Sequence, residues 1–288
     1  MKLLLSAALA ALFFLVFFRL VPPEEILELF SSVSASTLAL AFLLYSVSQI
    51  LRSLRWSLLL GLPLRWSLLL NAANVFLNVL LPARSGELSW FYYAKRLGLS
   101  FKASLWSFLV GRLYDLAALL AVVVVFKALE KGPLLAAGAL LSAAAVTAVV
   151  PLTFRMTPEK GRLKELKGFL LRELTPLRSL TLFILSFASF TVKGLGAYAV
   201  ARAVYPFPLT GFFLAFFGGE LSSVLPVHGF MGFGTYEAGF VLGMKLAGAS
   251  YEEALKAGFL VHLYLLLSSA AWGLPAIAVL HTSARKSL

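Results

Sequence analysis

Long apolar segments, separated by short polar ones, run along almost the whole chain. Six of them approach or exceed the roughly 20 apolar residues that a membrane-spanning helix needs. They cover residues 3–20, 37–60, 101–126, 133–154, 179–204 and 252–280. No small-residue cleavage motif closely follows the first segment, so we expect it to remain as a signal anchor. Glu24, Glu25 and Glu28 then alternate with apolar residues, which predicts a short amphipathic segment at the membrane surface.

A shorter apolar segment, residues 64–81, ends at Pro82, which breaks a helix. A new helix is predicted to begin near Gly86 and Glu87 and to reach Lys95 after about ten residues. Ten helical residues rise roughly 15 Å, half of a hydrocarbon core of about 30 Å. The pattern therefore predicts a re-entrant helical hairpin whose break lies at mid-depth in the bilayer.

The same pattern occurs a second time, in residues 207–246. The apolar segment ends at Pro226, and a glycine-rich turn containing Gly232 and Gly234 leads into a second short helix at Thr235. A shift of 150 positions aligns this helix and the following span with the first copy. The pairs that share a residue type or chemistry include Ser85 with Thr235, Glu87 with Glu237, Lys95 with Lys245, Gly98 with Gly248, Arg112 with His262 and Tyr114 with Tyr264.

Residues 155–178 form the one long polar stretch, with seven basic and three acidic side chains and a net charge of +4. Basic loops of membrane proteins remain in the cytoplasm, so this loop fixes the orientation. Counting spans from it places both termini inside and makes the two hairpins enter from opposite faces. We therefore predict an all-α integral membrane protein with about six transmembrane helices. Two oppositely oriented re-entrant hairpins belong to inverted repeat units near 37–126 and 179–280.

Composition agrees with a single transmembrane domain over residues 1–288, because 60% of residues are hydrophobic and only 13% are charged. The chain has no Cys, three His and one Asp, which argues against thiolate chemistry, a metal site and paired aspartates. We expect no cofactor and no enzymatic activity. The net charge of +12 reflects basic residues at span ends and in the loop, so nucleic-acid binding is a poor explanation.

Charged side chains inside the apolar segments are the candidate functional residues, because burying them in lipid is costly. Glu87 and Glu237 either stabilise a helix N-terminus or act in transport, by pairing with a basic group or by titrating. Arg84 and Arg112 are candidate phosphate ligands, since a guanidinium makes planar two-point contacts with phosphate oxygens. The alternative for Arg112 is an i, i+3 salt bridge with Asp115, and the two roles are compatible.

Other polar positions have two interpretations each. Lys193 either functions inside its span or snorkels to the interface. His262 takes the place of Arg112 in the second copy, as a ligand or as an interhelical hydrogen-bonding group. Asn78, nearest the predicted break, either binds substrate or satisfies broken backbone, as we expect for Asn71 and Asn74. The basic residues Arg52, Arg55 and Arg65 are predicted to be interface anchors.

These residues, in order, resemble a known family. The motifs Asn78-x-x-x-Pro82-x-Arg84-x-Gly86-Glu87, Arg112-x-x-Asp115 and Gly232-x-Gly234-x-x-Glu237 are similar to the flippase-like transmembrane domain of the lysylphosphatidylglycerol synthase family. The resemblance implies transport of aminoacylated or anionic lipid between leaflets. The aminoacyl-transferase domain of some members has no counterpart in this sequence. The family pattern tends to have a basic residue at the position of Trp90 and an acidic one at that of Gly111.

The sequence therefore predicts a flippase for a phosphate-bearing lipid, such as an anionic or aminoacylated phospholipid or a polyprenyl phosphate, in the bacterial inner membrane. The partner is membrane lipid, and a homodimer and a separate transferase partner are left open. Three alternatives stay open for the function. They are a membrane-embedded lipid-linked transferase, a transporter of a small anionic solute or ion, and a non-catalytic partner of a lipid-modifying transferase.

Overall fold

The computed structural model describes residues 2–81, 85–153, 168, 174–222 and 229–283, and within these ranges it contains helices and turns but no β-strand. The predicted breaks at Pro82 and Pro226, the candidate ligand Arg84 and most of the basic loop lie outside the described residues. The α-helices, named in chain order, are α1 (Lys2–Leu20), α2 (Pro23–Ser31), α3 (Ala35–Leu60), α4 (Leu64–Leu80), α5 (Glu87–Arg96), α6 (Phe101–Leu129), α7 (Pro133–Thr153), α8 (Pro176–Ala201), α9 (Leu209–Ser222), α10 (Thr235–Leu246) and α11 (Tyr251–Ser283).

Four of the described helices, α3, α6, α8 and α11, are long and apolar enough to cross a membrane. Helices α1 and α2 satisfy the same requirement only as a pair, bent by 98° at the intervening prolines, which would give a fifth span. Helix α7, predicted as a full span, counts among the shorter apolar helices over residues 133–149. The predicted six spans are therefore four or five by length and composition.

Local sequence sets the helix ends. The side chains of Ser34, Ser100 and Thr175 each accept a hydrogen bond from a backbone N–H three residues further on, at 3.1 to 3.3 Å, and so cap α3, α6 and α8. Pro23 occupies the first turn of α2, where its missing N–H costs nothing. The acidic side chains Glu24 and Glu28 of α2 are exposed while Leu29 is buried, as the predicted amphipathic segment requires.

The two sequence copies fold into the same local structure. Each short helix ends at a glycine with positive φ, +82° at Gly98 and +89° at Gly248, and each glycine N–H donates 3.0 Å to the carbonyl of a lysine, Lys95 or Lys245. Only glycine adopts this conformation without strain. Both copies are therefore a short helix, a tight turn and a long helix, α5–α6 and α10–α11.

Helix packing brings the two copies together around the centre of the bundle. Helix α3 packs along α8, where the buried hydroxyls of Ser48 and Ser189 are 3.1 Å apart. Helix α4 packs on α5 and α11, and α9 packs on α10 and α6. Helices α9 and α10 approach so closely that a Cβ on Gly239 would lie 2.3 Å from the Gly218 carbonyl oxygen. These contacts leave a cavity lined by residues of α3, α4, α6, α8, α9, α10 and α11.

Candidate functional site

The cavity has a volume of about 140 Å³ and is lined by side chains from both sequence copies. Of the predicted site residues, Asn78, Arg112, Lys193, Gly232 and His262 line it. Glu87, Asp115 and Glu237 lie behind this lining and contact basic side chains of the site. Among the described residues, the charged side chains that line the cavity are Arg52, Arg112, Lys193 and Glu220.

Arg112 is held by the first short helix. Its Nη2 donates to Glu87 Oε1 at 3.1 Å, which joins α6 to the first turn of α5. Its guanidinium also lies 5.0 Å from the ring centre of Phe108, one turn earlier on α6. A carboxylate in the first turn complements the positive end of the helix dipole, so Glu87 both stabilises α5 and orients Arg112. The two interpretations of Glu87 are thus compatible.

Asp115 is shared by two arginines of α3. Arg52 Nη2 lies 2.7 Å from Asp115 Oδ2, and Arg55 Nη1 lies 2.5 Å from Oδ1 and 2.8 Å from Ser186 Oγ. The alternative salt bridge of Asp115 with Arg112 is thus replaced by pairs to another helix. The prediction that Arg55 is an interface anchor is wrong, because its side chain is 0% exposed. Arg52 lines the cavity instead of the interface.

Arg65 differs from these two arginines. It lies in the first turn of α4, is exposed, and its guanidinium is 4.9 Å from the Trp66 ring centre. The spacing of polar residues in the sequence distinguishes Arg52 and Arg55 from Arg65. Ser48, Arg52 and Arg55 are spaced i, i+4, i+7 and share one face of α3, which marks a buried polar face rather than an anchor.

Lys193 pairs with a residue that the sequence pattern did not select. Its Nζ lies 2.7 and 2.8 Å from the two carboxylate oxygens of Glu220, which joins α8 to α9. The two side chains are only 15% and 12% exposed. Lys193 therefore points into the bundle instead of snorkelling. The sequence signal for Glu220 was its position inside an apolar helix, at a depth where a carboxylate needs a partner.

His262 and Glu237 form the buried counterpart of the Arg112 pair. His262 Nδ1 lies 2.7 Å from Glu237 Oε1, while Glu237 Oε2 accepts from the Gly234 N–H at 2.8 Å. The imidazole also packs against the rings of Phe233 and Tyr236, with centres 4.8 and 4.7 Å away. Both polar sides of the Glu237 carboxylate are thus occupied.

The turn before α10 is built around positive φ angles. Gly232 and Gly234 have φ of +87° and +86°, and Met231, which lines the cavity, has +55°. A Cβ on Gly232 would lie 2.9 Å from His262 Nε2. Both glycines of the predicted glycine-rich turn thus adopt a backbone conformation that favours glycine, and a non-glycine residue in this conformation often marks a functional site.

Of the three asparagines of α4, Asn74 bonds the neighbouring backbone, whereas Asn71 and Asn78 donate to other side chains and not, as expected for Asn71, to broken backbone. Asn78 donates to Asn74 Oδ1 at 3.1 Å, and Asn74 in turn donates to the Gly86 carbonyl at 3.4 Å. Asn71 instead donates to Gln49 of α3 at 2.7 Å. A Cβ on Gly86 would lie 2.2 Å from the Leu77 carbonyl oxygen, so glycine permits α4 and the start of α5 to touch.

Comparison with known proteins agrees with this architecture. A family model described as the lysylphosphatidylglycerol synthase TM region matches residues 3–273. The chain belongs to this family. Searches of the curated proteins and of the solved structures found no match.

In this member of the lysylphosphatidylglycerol synthase TM-region family, Trp90 and Gly111 both lie against Trp56. The Trp90 ring lies 4.3 Å from that of Trp56, and a Cβ on Gly111 would lie 2.1 Å from the Trp56 ring. The family resemblance implies a basic side chain at position 90 and an acidic one at position 111. In this chain the Trp56 ring instead contacts the Trp90 ring and lies against Gly111, which has no side chain.

The arrangement suits binding of an anion more than metal chemistry. Among the described residues, no group of three or more His, Asp or Glu side chains lies together as a metal site requires. Three basic side chains, Arg52, Arg112 and Lys193, face the same small cavity within apolar helices. Each is also held by a carboxylate, which fixes its position before any ligand enters.

Proposed function

We propose that the protein is a lipid transporter that moves a phosphate-bearing lipid between membrane leaflets. The observation that carries the proposal is the cavity itself, which places Arg52, Arg112 and Lys193 between helices long enough to cross a membrane. Desolvation of the headgroup is the main barrier to lipid crossing, and a polar path through hydrocarbon lowers it. The acyl or prenyl chains stay in the bilayer meanwhile.

The proposal includes an inverted repeat with two re-entrant hairpins, α4–α5 and α9–α10. Helices α4 and α9 have 17 and 14 residues, which rise about 25 and 21 Å. Helices α5 and α10 have 10 and 12 residues, and rise about 15 and 18 Å. All four are shorter than a hydrocarbon core of about 30 Å, which supports re-entry rather than crossing.

In this arrangement both termini are cytoplasmic, the membrane is the bacterial inner membrane, and the protein is not itself an enzyme. Inverted repeats with broken helices that meet at mid-membrane suit alternating access to one site. Arg112, together with Arg84, holds the phosphate, while Glu87 and Glu237 exchange basic partners as the site changes its accessible side. A homodimer or a separate transferase partner is compatible with this scheme.

The test is lipid exchange in liposomes that contain the full chain. A labelled anionic phospholipid is placed in both leaflets, and the inner-leaflet fraction that becomes accessible to a membrane-impermeant quencher is followed with time. We expect faster exchange than in empty liposomes, and loss of the gain in the double variant Glu87→Gln/Glu237→Gln. The matched control is Glu130→Gln, because Glu130 forms an exposed pair with Lys127 at the end of α6.

The result also separates the alternatives. Exchange that persists in the double variant contradicts the role of the two glutamates. If a panel of lipids that includes polyprenyl phosphates shows no exchange above empty liposomes, the lipid proposal fails. Uptake of a small anion by the same vesicles would then support a solute transporter. Exchange that appears only after a transferase is added would support a partner role.

A further inference from the structure

The contact between α3 and α6 has more basic than acidic groups. The Asp115 carboxylate gives one oxygen to Arg52 and the other to Arg55, at 2.7 and 2.5 Å. Two guanidiniums and one carboxylate leave a surplus of one positive charge. Both arginines lie on the face of α3 that is turned into the bundle, and Arg55 is fully buried.

Each other intramembrane carboxylate of the site has a basic partner of its own among the described residues. Glu87 contacts Arg112, Glu220 contacts Lys193 and Glu237 contacts His262. Asp115 is the one carboxylate that two of the described cations share. A charge in a low-dielectric site is stable only with a counter-charge, so this cluster is suited to an additional anion.

The two arginines also have buried N–H groups. Among the described residues, no partner is found for the buried Nε of Arg52 or for Nε and Nη2 of Arg55. Buried N–H groups are nearly always paired, and those that are not point to a bound water, a ligand or a functional role. Arg52 is the member of the cluster that reaches the cavity, with its side chain 17% exposed.

We propose that Arg52 is a further anion-binding residue of this cavity, in addition to Arg112, and that Asp115 and Arg55 position it. The ligand chemistry is a phosphate ester or phosphate, since a guanidinium held from one side by a carboxylate presents its remaining N–H groups to a planar pair of oxygens. Arg112 lines the same cavity from α6, so the anion would lie between two helices. As a headgroup site, the inference rests on the proposed lipid transport.

The test measures binding to the full chain in lipid nanodiscs made of phosphatidylcholine. Two probes carry the same chemistry from different sources: inorganic phosphate and short-chain dihexanoyl phosphatidylglycerol. Affinity is read from the shift of the thermal unfolding midpoint with probe concentration. We expect Arg52→Gln to bind the preferred probe about tenfold or more weakly than wild type, because a charged hydrogen bond is lost.

Matched variants separate binding from folding. Arg65→Gln removes an exposed arginine one helix away, and its affinity for the probe should equal that of wild type. Arg52→Lys keeps the charge without the planar fork, so its affinity should lie between those of wild type and Arg52→Gln. A purely structural Arg52 would lower the unfolding midpoint of the ligand-free protein and leave the affinity unchanged, which overturns the proposal.

The two probes and the exchange assay distinguish this inference from the proposed function. Phosphate binding that requires Arg52, in a protein that exchanges no lipid, supports the anion site and contradicts lipid transport. Lipid exchange with equal probe affinity in wild type and Arg52→Gln supports transport and overturns the anion site. If neither probe shifts the wild-type midpoint, the inference is wrong.

Discussion

His262 Nδ1 lies 2.7 Å from Glu237 Oε1 in the second copy, at the position where Arg112 contacts Glu87 in the first. In both pairs the carboxylate lies in the first turn of a short helix and the basic group lies on the following long helix, 25 residues later in the chain. The two copies thus keep one geometry with two different bases. A guanidinium is always charged, whereas an imidazole is charged or neutral, so the pairs differ in electrostatic character.

The buried carboxylate of Glu237 should be essential for the structure of the turn before α10. Glu237→Ala removes the acceptor of both the Gly234 N–H and His262, and leaving such buried groups unpaired costs about 1–3 kcal/mol. Glu237→Gln retains an oxygen acceptor, so its unfolding midpoint in detergent should fall less. The exposed Glu130→Ala is the control and should leave the midpoint near that of wild type. Equal midpoints for the alanine and glutamine variants would contradict this role.

Removal of the Asp115 carboxylate alone should lower the stability of the protein more than removal of Asp115 and Arg55 together. Asp115→Asn leaves the fully buried Arg55 guanidinium without its counter-charge, and breaking a buried pair from one side costs about 3–5 kcal/mol. The double variant Asp115→Asn/Arg55→Met also removes the fully buried guanidinium, and only the partly exposed Arg52 then lacks the carboxylate, so this variant should regain much of that loss. Thermal unfolding of the four proteins of this cycle in detergent measures the coupling. Additive effects of the two substitutions would contradict a direct interaction.

Much of the helical framework follows from the sequence, because membrane helices are marked by apolar length alone. Spans α3, α6, α8 and α11 agree with their predicted ranges within a few residues. The first span is harder to predict from the sequence. Composition gives its length but does not show the 98° bend between α1 and α2. The bend depends on prolines and on packing of α1 against the turn at residues 230–232.

The candidate site was predictable where the repeat marks it and less so elsewhere. Arg112 and Glu87 were found because charge in an apolar segment is costly, and their shared position in both copies linked them to Glu237 and His262. The Arg55 pair was missed because it joins α3 to α6, two helices about 60 residues apart in sequence. Local spacing carries no information on which partner a buried arginine meets across the bundle.

The contact between α9 and α10 should tolerate no side chain at Gly239. Its Cβ would lie 2.3 Å from the Gly218 carbonyl oxygen, and backbone cannot move aside as a side chain can. We expect Gly239→Ala to lower the unfolding midpoint in detergent, with a cost of about 1–3 kcal/mol or more. Gly138→Ala in α7 is the matched control, because no atom lies within 4 Å of its added Cβ. There, better helix propensity should leave the midpoint equal or higher.

A smaller side chain at position 56 should compensate for a larger one at position 111. Gly111→Ala places a Cβ 2.1 Å from the outer atoms of the Trp56 six-membered ring, which is an overpacked arrangement costing about 1–3 kcal/mol. Phenylalanine lacks those outer atoms, so Gly111→Ala/Trp56→Phe should be more stable than Gly111→Ala alone, even though Trp56→Phe alone leaves a cavity next to Trp90. Unfolding midpoints of wild type, both single variants and the double variant measure the effect. If Trp56→Phe lowers the midpoint equally with glycine or alanine at position 111, the two residues do not compete for space. The close contact would then not explain why this chain has glycine where the family resemblance implies an acidic residue.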